Sequence, residues 1–314
     1  MLRYVAQRLL AAVPVMLIVT LVSFSIMQMV PGDPAAVMAG PQATKAEVDG
    51  VREQLGLDQP FLVQLGRWYA GLAQGDLGRS ILLGRTVSRA IAERIPVTLA
   101  LALLSFAFTL AIAVPAGILA AMRQNSWVDQ VVMTVALLGV SLPNFWLALM
   151  LIVLFSVTLD LFPAGGYVPM AQGFVPWFKS LFLPALSLGL LQIGLLARIT
   201  RSAMLEILRQ DYVRTARAKG LPVASVVGKH ALKNALIPVI TIIGIIFSLL
   251  LSGSVVIETV YSLPGLGRLL ANSIMSRDYP VIQGGLLVTA AMFVVINLVV
   301  DVLYALVDPR VRYE

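Results

Sequence analysis

Six stretches of this chain are too long and too apolar to remain in water: residues 9–30, 96–121, 127–159, 181–197, 237–257 and 281–306. A helix rises about 1.5 Å per residue, so about 20 apolar residues cross a hydrocarbon core of roughly 30 Å. No water inside lipid satisfies the backbone, so each run must bond to itself as a helix. The predicted fold class is therefore all-α, a polytopic membrane bundle of six transmembrane helices. Composition agrees: 59% of the 314 residues are hydrophobic and 12% are charged. A soluble domain carries about 25% charge, and half of that leaves too little polar surface to solvate a globule of this size.

The third run is overlong, and Pro143-Asn144 in its middle predicts a kink or a break. Pro115 is another proline inside a span, tolerated where neighbouring groups or water satisfy the freed carbonyl. The fourth run is short and is expected to borrow length from residues 198–203. The first run follows Arg3 and Arg8 and precedes a loose Val37-Met38-Ala39. Its apolar stretch exceeds the roughly 7–15 residues of a signal peptide, so it is read as an uncleaved span.

Basic residues set the orientation. Arg198, Arg201, Arg209, Arg214, Arg217, Lys219, Lys229 and Lys233 lie between the fourth and fifth runs, Arg123 between the second and third, and Arg310 and Arg312 at the end. The opposite loops carry Lys179, Arg268 and Arg277. Placing the rich side in the cytoplasm predicts an N-in, C-in topology. Residues 31–95 carry seven basic residues but form a long segment, and long segments translocate largely regardless of charge. The formal net charge of +7 thus reflects membrane orientation, with lipid rather than nucleic acid as the partner.

Three parts follow: residues 1–30, an N-terminal segment and first span; residues 31–95, an external (periplasmic) segment; and residues 96–314, a core of five spans with a loop at about 203–236. In the external segment, Thr44-Lys45-Ala46-Glu47 reads as a capping box opening a helix to about residue 55. Residues 61–72 are a second helix, Gly75-Asp76-Leu77-Gly78 a turn, and residues 86–95 an amphipathic helix resting on the membrane surface.

Several chemistries are excluded. The chain has no cysteine and one histidine, His230, which removes disulfides, thiolate sites and any His-based metal cluster. The twelve methionines read as packing. The only Gly-Lys pair, Gly228-Lys229, lacks both the first glycine and the Ser/Thr of a phosphate-binding loop. Asp160, Glu258 and Asp301 lie near predicted span ends and read as hydrated interfacial groups rather than an intramembrane relay. Gln192, Gln283, Asn144 and Asn297 are open between lining a pathway and bonding between helices.

The most informative segment runs from Glu206 to Pro222. It reads as a helix closed by Gly220 with Pro222 beyond, and a second helix at about 224–236 leads into the fifth span. A helix–turn–helix on the membrane face suits docking of a soluble partner; a basic loop serving orientation alone is the alternative.

Tyr212-Val213-Arg214-Thr215-Ala216-Arg217-Ala218-Lys219-Gly220-Leu221, followed by His230-Ala231-Leu232-Lys233-Asn234-Ala235-Leu236-Ile237-Pro238, resembles the coupling loop of the dipeptide/oligopeptide/nickel permeases. Pro31-Gly32-Asp33-Pro34, Gly75-Asp76-Leu77-Gly78-Arg79-Ser80, Tyr261-Ser262-Leu263-Pro264-Gly265-Leu266-Gly267, Arg277-Asp278-Tyr279-Pro280 and Asp308-Pro309-Arg310-Val311-Arg312-Tyr313 resemble other stretches of the same family. The long first external segment is similar to that of the first permease of the usual pair.

The resemblance implies a type I ABC importer permease of the inner membrane, a transport subunit without its own ATPase site, forming half of a pathway for di- or oligopeptides. It implies a second homologous permease, two ATPase subunits and an extracytoplasmic substrate-binding protein as partners. It also implies no cofactor in this chain, ATP and Mg being bound by the ATPases. Asp211, Tyr212, Arg214, Thr215, Ala216, Arg217, Ala218, Lys219, Gly220 and Leu221 would dock the ATPase. The wider superfamily opens this loop with Glu-Ala-Ala, where this chain has Arg214, Thr215 and Ala216, so the glutamate is missing; Asp211 stands one turn earlier. Lys233-Asn234 replace a proline-favouring position. Nickel or glutathione are variant cargoes, and a self-sufficient secondary transporter or channel is the alternative function.

Overall fold

A computed structural model of the protein describes residues 2–29, 33–40, 42–54, 56–80 and 82–307. In chain order the helices are α1 (Leu2–Met29), α2 (Pro34–Ala39), α3 (Lys45–Gln54) and α4 (Phe61–Ala73). A two-stranded antiparallel ribbon, β1 (Arg79–Ser80) with β2 (Arg85–Thr86), leads to α5 (Val87–Ala92), α6 (Ile95–Met122), α7 (Trp127–Ser141) and α8 (Asn144–Leu151). There follow α9 (Phe174–Leu208), α10 (Asp211–Ala218), α11 (Val223–Ser225), α12 (Leu232–Val260), α13 (Leu266–Ser276) and α14 (Tyr279–Val307). Two π-helical turns interrupt this order, Ile152–Thr158 after α8 and Val226–Ala231 before α12.

Among the described residues, five helical stretches are long and apolar enough to span a membrane: Gln7–Ser25, Val87–Met122, Phe174–Leu208, Ile242–Val260 and Tyr279–Val302. A sixth results if Trp127–Ser141 and Asn144–Thr158, bent by 109° at their junction, count as one span. Pro143 produces that break, since the residue before a proline is pushed out of the helical region: Leu142 has ψ 135°. Pro115, by contrast, sits inside an unbroken α6. The fourth span is much longer than expected. Its 35 residues reach about 52 Å, well beyond a hydrocarbon core.

The chain divides into two compact units, Met1–Val97 with Pro264–Leu298, and Thr98–Leu263 with Val299–Glu314. In the first, α4 is held against α1 by Phe24 packing on Phe61 and Trp68, and by a 2.8 Å hydrogen bond between the Thr20 and Tyr69 hydroxyls. The capping box forms as read: the Thr44 amide donates to the Glu47 carboxylate at 2.7 Å, and the Glu47 amide donates back to the Thr44 hydroxyl at 3.4 Å. The Thr44 amide, and its hydroxyl donating to the same carboxylate at 2.8 Å, hold the Glu47 carboxyl below its ordinary range.

The surface helix expected at 86–95 is instead a short α5 within a protein core. Val87, Ala90 and Ile91 are buried against Leu266, Leu269, Leu270 and Val281. Its apolar side is covered by α13 and α14. Beside it the Ser80 hydroxyl donates to the buried Asp278 carboxylate at 2.5 Å, while burial pushes that carboxyl above its ordinary range.

The second unit is organised on α9. Small residues let other helices approach its backbone: a Cβ on Gly194 would lie 2.4 Å from the Ala136 carbonyl of α7, and one on Gly117 of α6 would lie 2.6 Å from the Ala197 carbonyl. Such seams are how apolar helices associate when hydrophobic exclusion cannot discriminate between protein and lipid.

The expectation that Glu258 is hydrated at an interface is overturned. Helix α12 continues through it to Val260, its side chain is fully buried, and the Thr98 hydroxyl donates to it at 2.7 Å. Asp160, as expected, is exposed. Pro31-Gly32, the terminal Asp308–Tyr313 motif with Arg310 and Arg312, and the His230 side chain lie outside what the structure describes.

Candidate functional site

The candidate site grows from the end of α9. Arg209 and Gln210 break the helix, with Gln210 extended at ψ 147°, and α10 begins at Asp211. An acidic first turn and Arg217 in the last turn both complement the helix dipole. The end of α10 is closed as the sequence indicates. Gly220 has φ +74°, which favours glycine, and nothing crowds its missing Cβ, so the backbone conformation alone demands it. Its amide donates to the Arg217 carbonyl at 2.9 Å and the Leu221 amide to the Ala216 carbonyl at 3.4 Å, the paired bonds of a Schellman cap, before Pro222 ends the segment.

The eight-residue helix has two faces. Val213 and Ala216 point inward and pack with Val226, Ile207 and Leu208. Asp211, Tyr212, Arg214, Thr215, Arg217 and Ala218 are exposed, and so are Lys219, Gly220 and Leu221 beyond it. Of the ten residues singled out, Ala216 alone is buried; it anchors the hairpin rather than offering a contact. Asp211 and Arg214 approach to 3.6 Å but are 96% and 72% exposed, a pair that contributes little and leaves both available to a partner.

The expected helix at 224–236 forms and leads into the fifth span without a break, as α11, the π turn Val226–Ala231 and the start of α12. Ala231 and Ala235 bury with Ala121, Ala203 and Met204, seating the hairpin on the ends of α6 and α9. Asn234, one of the two departures from the superfamily pattern, donates its amide to the Tyr212 hydroxyl at 2.8 Å, pinning α10 to α12. The other, Lys233, is exposed.

A clamp the sequence reading missed lies beneath. Arg201 of α9 donates from Nε and Nη2 to the two carboxylate oxygens of Asp129 at 2.5 and 2.6 Å. Asp129 is 5% exposed at its side chain, accepts the Asn125 amide at 2.9 Å, and is itself capped by Ser126. The start of α7 is thereby tied to α9 three turns before the hairpin. The Ser126-x-x-Asp129 spacing announced the cap; nothing local announced the arginine.

Among the open polar residues, Gln192 is buried with its Oε1 unpartnered, and Asn144 has its Oδ1 likewise. Gln283 lines a cleft of about 510 Å³ in the first unit with Phe24, Trp68 and Tyr279.

Apolar helices whose longest member runs on into a polar, exposed hairpin define a polytopic membrane protein. Comparison with known proteins says which kind. The chain belongs to the family described as binding-protein-dependent transport system inner membrane component, which matches residues 113–313, with the family's N-terminal part matching residues 1–102. A peptide transport system permease protein of Brucella abortus (strain 2308) is 54% identical over 99% of both chains. The glutathione transport system permease protein GsiC of Escherichia coli O6:H1 is 45% identical over the full length of both. The dipeptide transport system permease protein DppB of Alkalihalophilus pseudofirmus is 43% identical over the full length of both. The solved structure of an amino acid ABC transporter with histidines matches at 18% identity and TM-score 0.48, over 71% of this chain and 94% of that one. The protein is thus a multi-pass inner-membrane permease subunit of an ABC importer, working with other components of that system.

Proposed function

We propose that this permease carries short peptides, pairs with a second homologous permease, and receives its motion from two separate ATPase subunits that grip residues 211–221. Relatives named for peptides, a dipeptide and glutathione share one cargo chemistry, the short peptide chain. An extracytoplasmic binding protein delivers the cargo. ATP and Mg are held by the ATPases, since Gly228-Lys229-His230 cannot make a phosphate loop. The amino and carboxyl ends face the cytoplasm.

The observation that carries the docking reading is the two-faced α10: buried Val213 and Ala216 fix it, and an exposed, mostly polar face is left outward at the end of a 35-residue helix. A rigid rod with a grip at its end converts ATPase closure into movement of the spans packed on it. Buried Glu258 is a feature a proton-coupled carrier would also show, but Thr98 already holds it and the family is that of binding-protein-dependent transport.

Replacing exposed residues tests this without disturbing the core. Arg214→Glu with Ala218→Glu, co-expressed with the neighbouring ATPases, should abolish their co-purification in mild detergent and cut peptide-driven ATP hydrolysis, with insertion into the membrane unchanged. Undiminished co-purification and hydrolysis would remove residues 211–221 from the docking role.

A further inference from the structure

The cleft of about 510 Å³ lies wholly within the first unit, between the end of α1, the start of α14, the α3–α4 hairpin and the turn before β1. Its volume is that of a small-molecule site. Phe24 stands next to last in the span Gln7–Ser25, and Tyr279 is first in Tyr279–Val302. With the amino end in the cytoplasm, the cleft therefore opens at the external face of the bilayer, where cargo arrives. No residue of its wall belongs to the hairpin assigned to the ATPases.

The wall carries both signs of charge, and they do not neutralise one another. A Cβ on Gly56 would meet the Arg67 Nη1 at 3.5 Å, which places that guanidinium against bare backbone. Glu53, in the last turn of α3, lines the same cleft. Among the described residues, neither side chain makes an ion pair or a hydrogen bond. Asp76 and Arg79, also on the wall, are engaged: the first accepts the Gly78 amide at 2.8 Å, and the second donates to the Gly84 carbonyl at 3.3 Å. The Tyr279 hydroxyl is the sharper signal. Tyr279 is 5% exposed, and among the described residues its buried oxygen has no hydrogen-bond partner. An unpartnered buried hydroxyl is destabilising, and a ligand that bonds to it relieves the cost. Phe24 and Trp68, with ring centroids 5.6 Å apart, add an aromatic wall. A simple ion would answer only one of the two charges. A phospholipid would need a continuous aliphatic surface, and Leu57, Leu77 and Pro280 are the only aliphatic side chains on this one. A short peptide with free termini has a carboxylate, an ammonium, main-chain carbonyls and an apolar side chain within one small molecule.

We propose that this cleft is a receiving site for one short peptide. Its carboxylate lies on Arg67, its ammonium on Glu53, a main-chain carbonyl accepts from the Tyr279 hydroxyl, and an apolar side chain rests against Trp68 and Phe24. The site rests on the peptide reading above and deepens it: the permease itself holds cargo between its release by the binding protein and its entry among the spans.

The test uses the importer assembled with its ATPases in phosphatidylcholine nanodiscs, without binding protein, and measures binding of tritiated Ala-Phe-Ala by scintillation proximity. Arg67→Gln and Glu53→Gln should each weaken binding roughly tenfold, as the loss of one charge-assisted hydrogen bond does. The same peptide acetylated and amidated at its ends should bind the wild type as poorly as the free peptide binds the double variant. Tyr279→Phe should weaken binding roughly fivefold while the melting temperature holds or rises, because no bond within the protein is lost. Lys179→Gln, in the second unit, should change nothing. Undiminished binding in the double variant, equal binding of the blocked peptide, or displacement by phosphatidylethanolamine added to the discs would each overturn the site. A melting temperature lowered by Tyr279→Phe would do so too, by showing that the hydroxyl already serves the fold. Transport by the complete importer with its binding protein separates the two readings. If Ala-Phe-Ala is carried while the binding-protein-free wild type retains none, this inference alone falls. If no short peptide is carried, the peptide reading falls and takes this site with it.

Discussion

Arg201 and Asp129 show what one residue pair can do when its partners are set by packing. The bidentate geometry and the extra amide from Asn125 satisfy the carboxylate, so removing the charge leaves a largely buried guanidinium without its counter-ion. Asp129→Asn should lower stability by about 3 kcal/mol, the lower end for a buried pair because Arg201 keeps 23% exposure. Thermal melting in detergent reads the loss, and Asp129→Arg with Arg201→Asp should recover part of it. Local chemistry of this kind was legible where both partners are close in sequence: Thr44 with Glu47, and Gly220 with Pro222. It was illegible where they are not. Glu258 failed for a related reason. A hydropathy window stops at the first charge, whereas the helix stops where its backbone bonds stop, and Thr98, which donates to the buried carboxylate, lies far upstream.

At the level of elements the same distinction explains α9. Arg198 and Arg201 ended its apolar run, yet the helix continues to Leu208 because those residues are good helix formers and one side still packs. The π turn at Val226–Ala231 left no mark in the sequence, since an extra residue inside a helix changes register and not composition. It can be tested as register. Deleting Gly228, which has open space around it, should restore α-helical phase and swing the hairpin by about 100° relative to α12. Insertion should survive, while peptide-driven ATP hydrolysis should fall as far as in the Arg214→Glu, Ala218→Glu variant. Wild-type hydrolysis in the deletion would show that the turn carries no coupling geometry.

For the whole molecule, the bundle was legible from six apolar runs because lipid leaves a backbone no other solution. The partition into units was not, because it rests on contacts between segments made far apart in time and sequence, such as Ile91 with Leu270. Orientation is directly measurable, since the absence of cysteine makes the chain a clean background. A thiol placed by Asp58→Cys should react with an impermeant maleimide in spheroplasts, and one placed by Lys219→Cys should react only after lysis; the reverse pattern would invert the topology. The divided first unit also has a consequence for biosynthesis. Met1–Val97 leaves the ribosome first, but Pro264–Leu298, which completes it, leaves near the end. At translation rates of about 5–20 residues per second the delay is on the order of ten to thirty seconds. Throughout it Val87, Ala90 and Ile91 have no cover from their late-arriving neighbours, so a nascent chain stalled before residue 264 exposes a half-built face to chaperones and quality-control proteases.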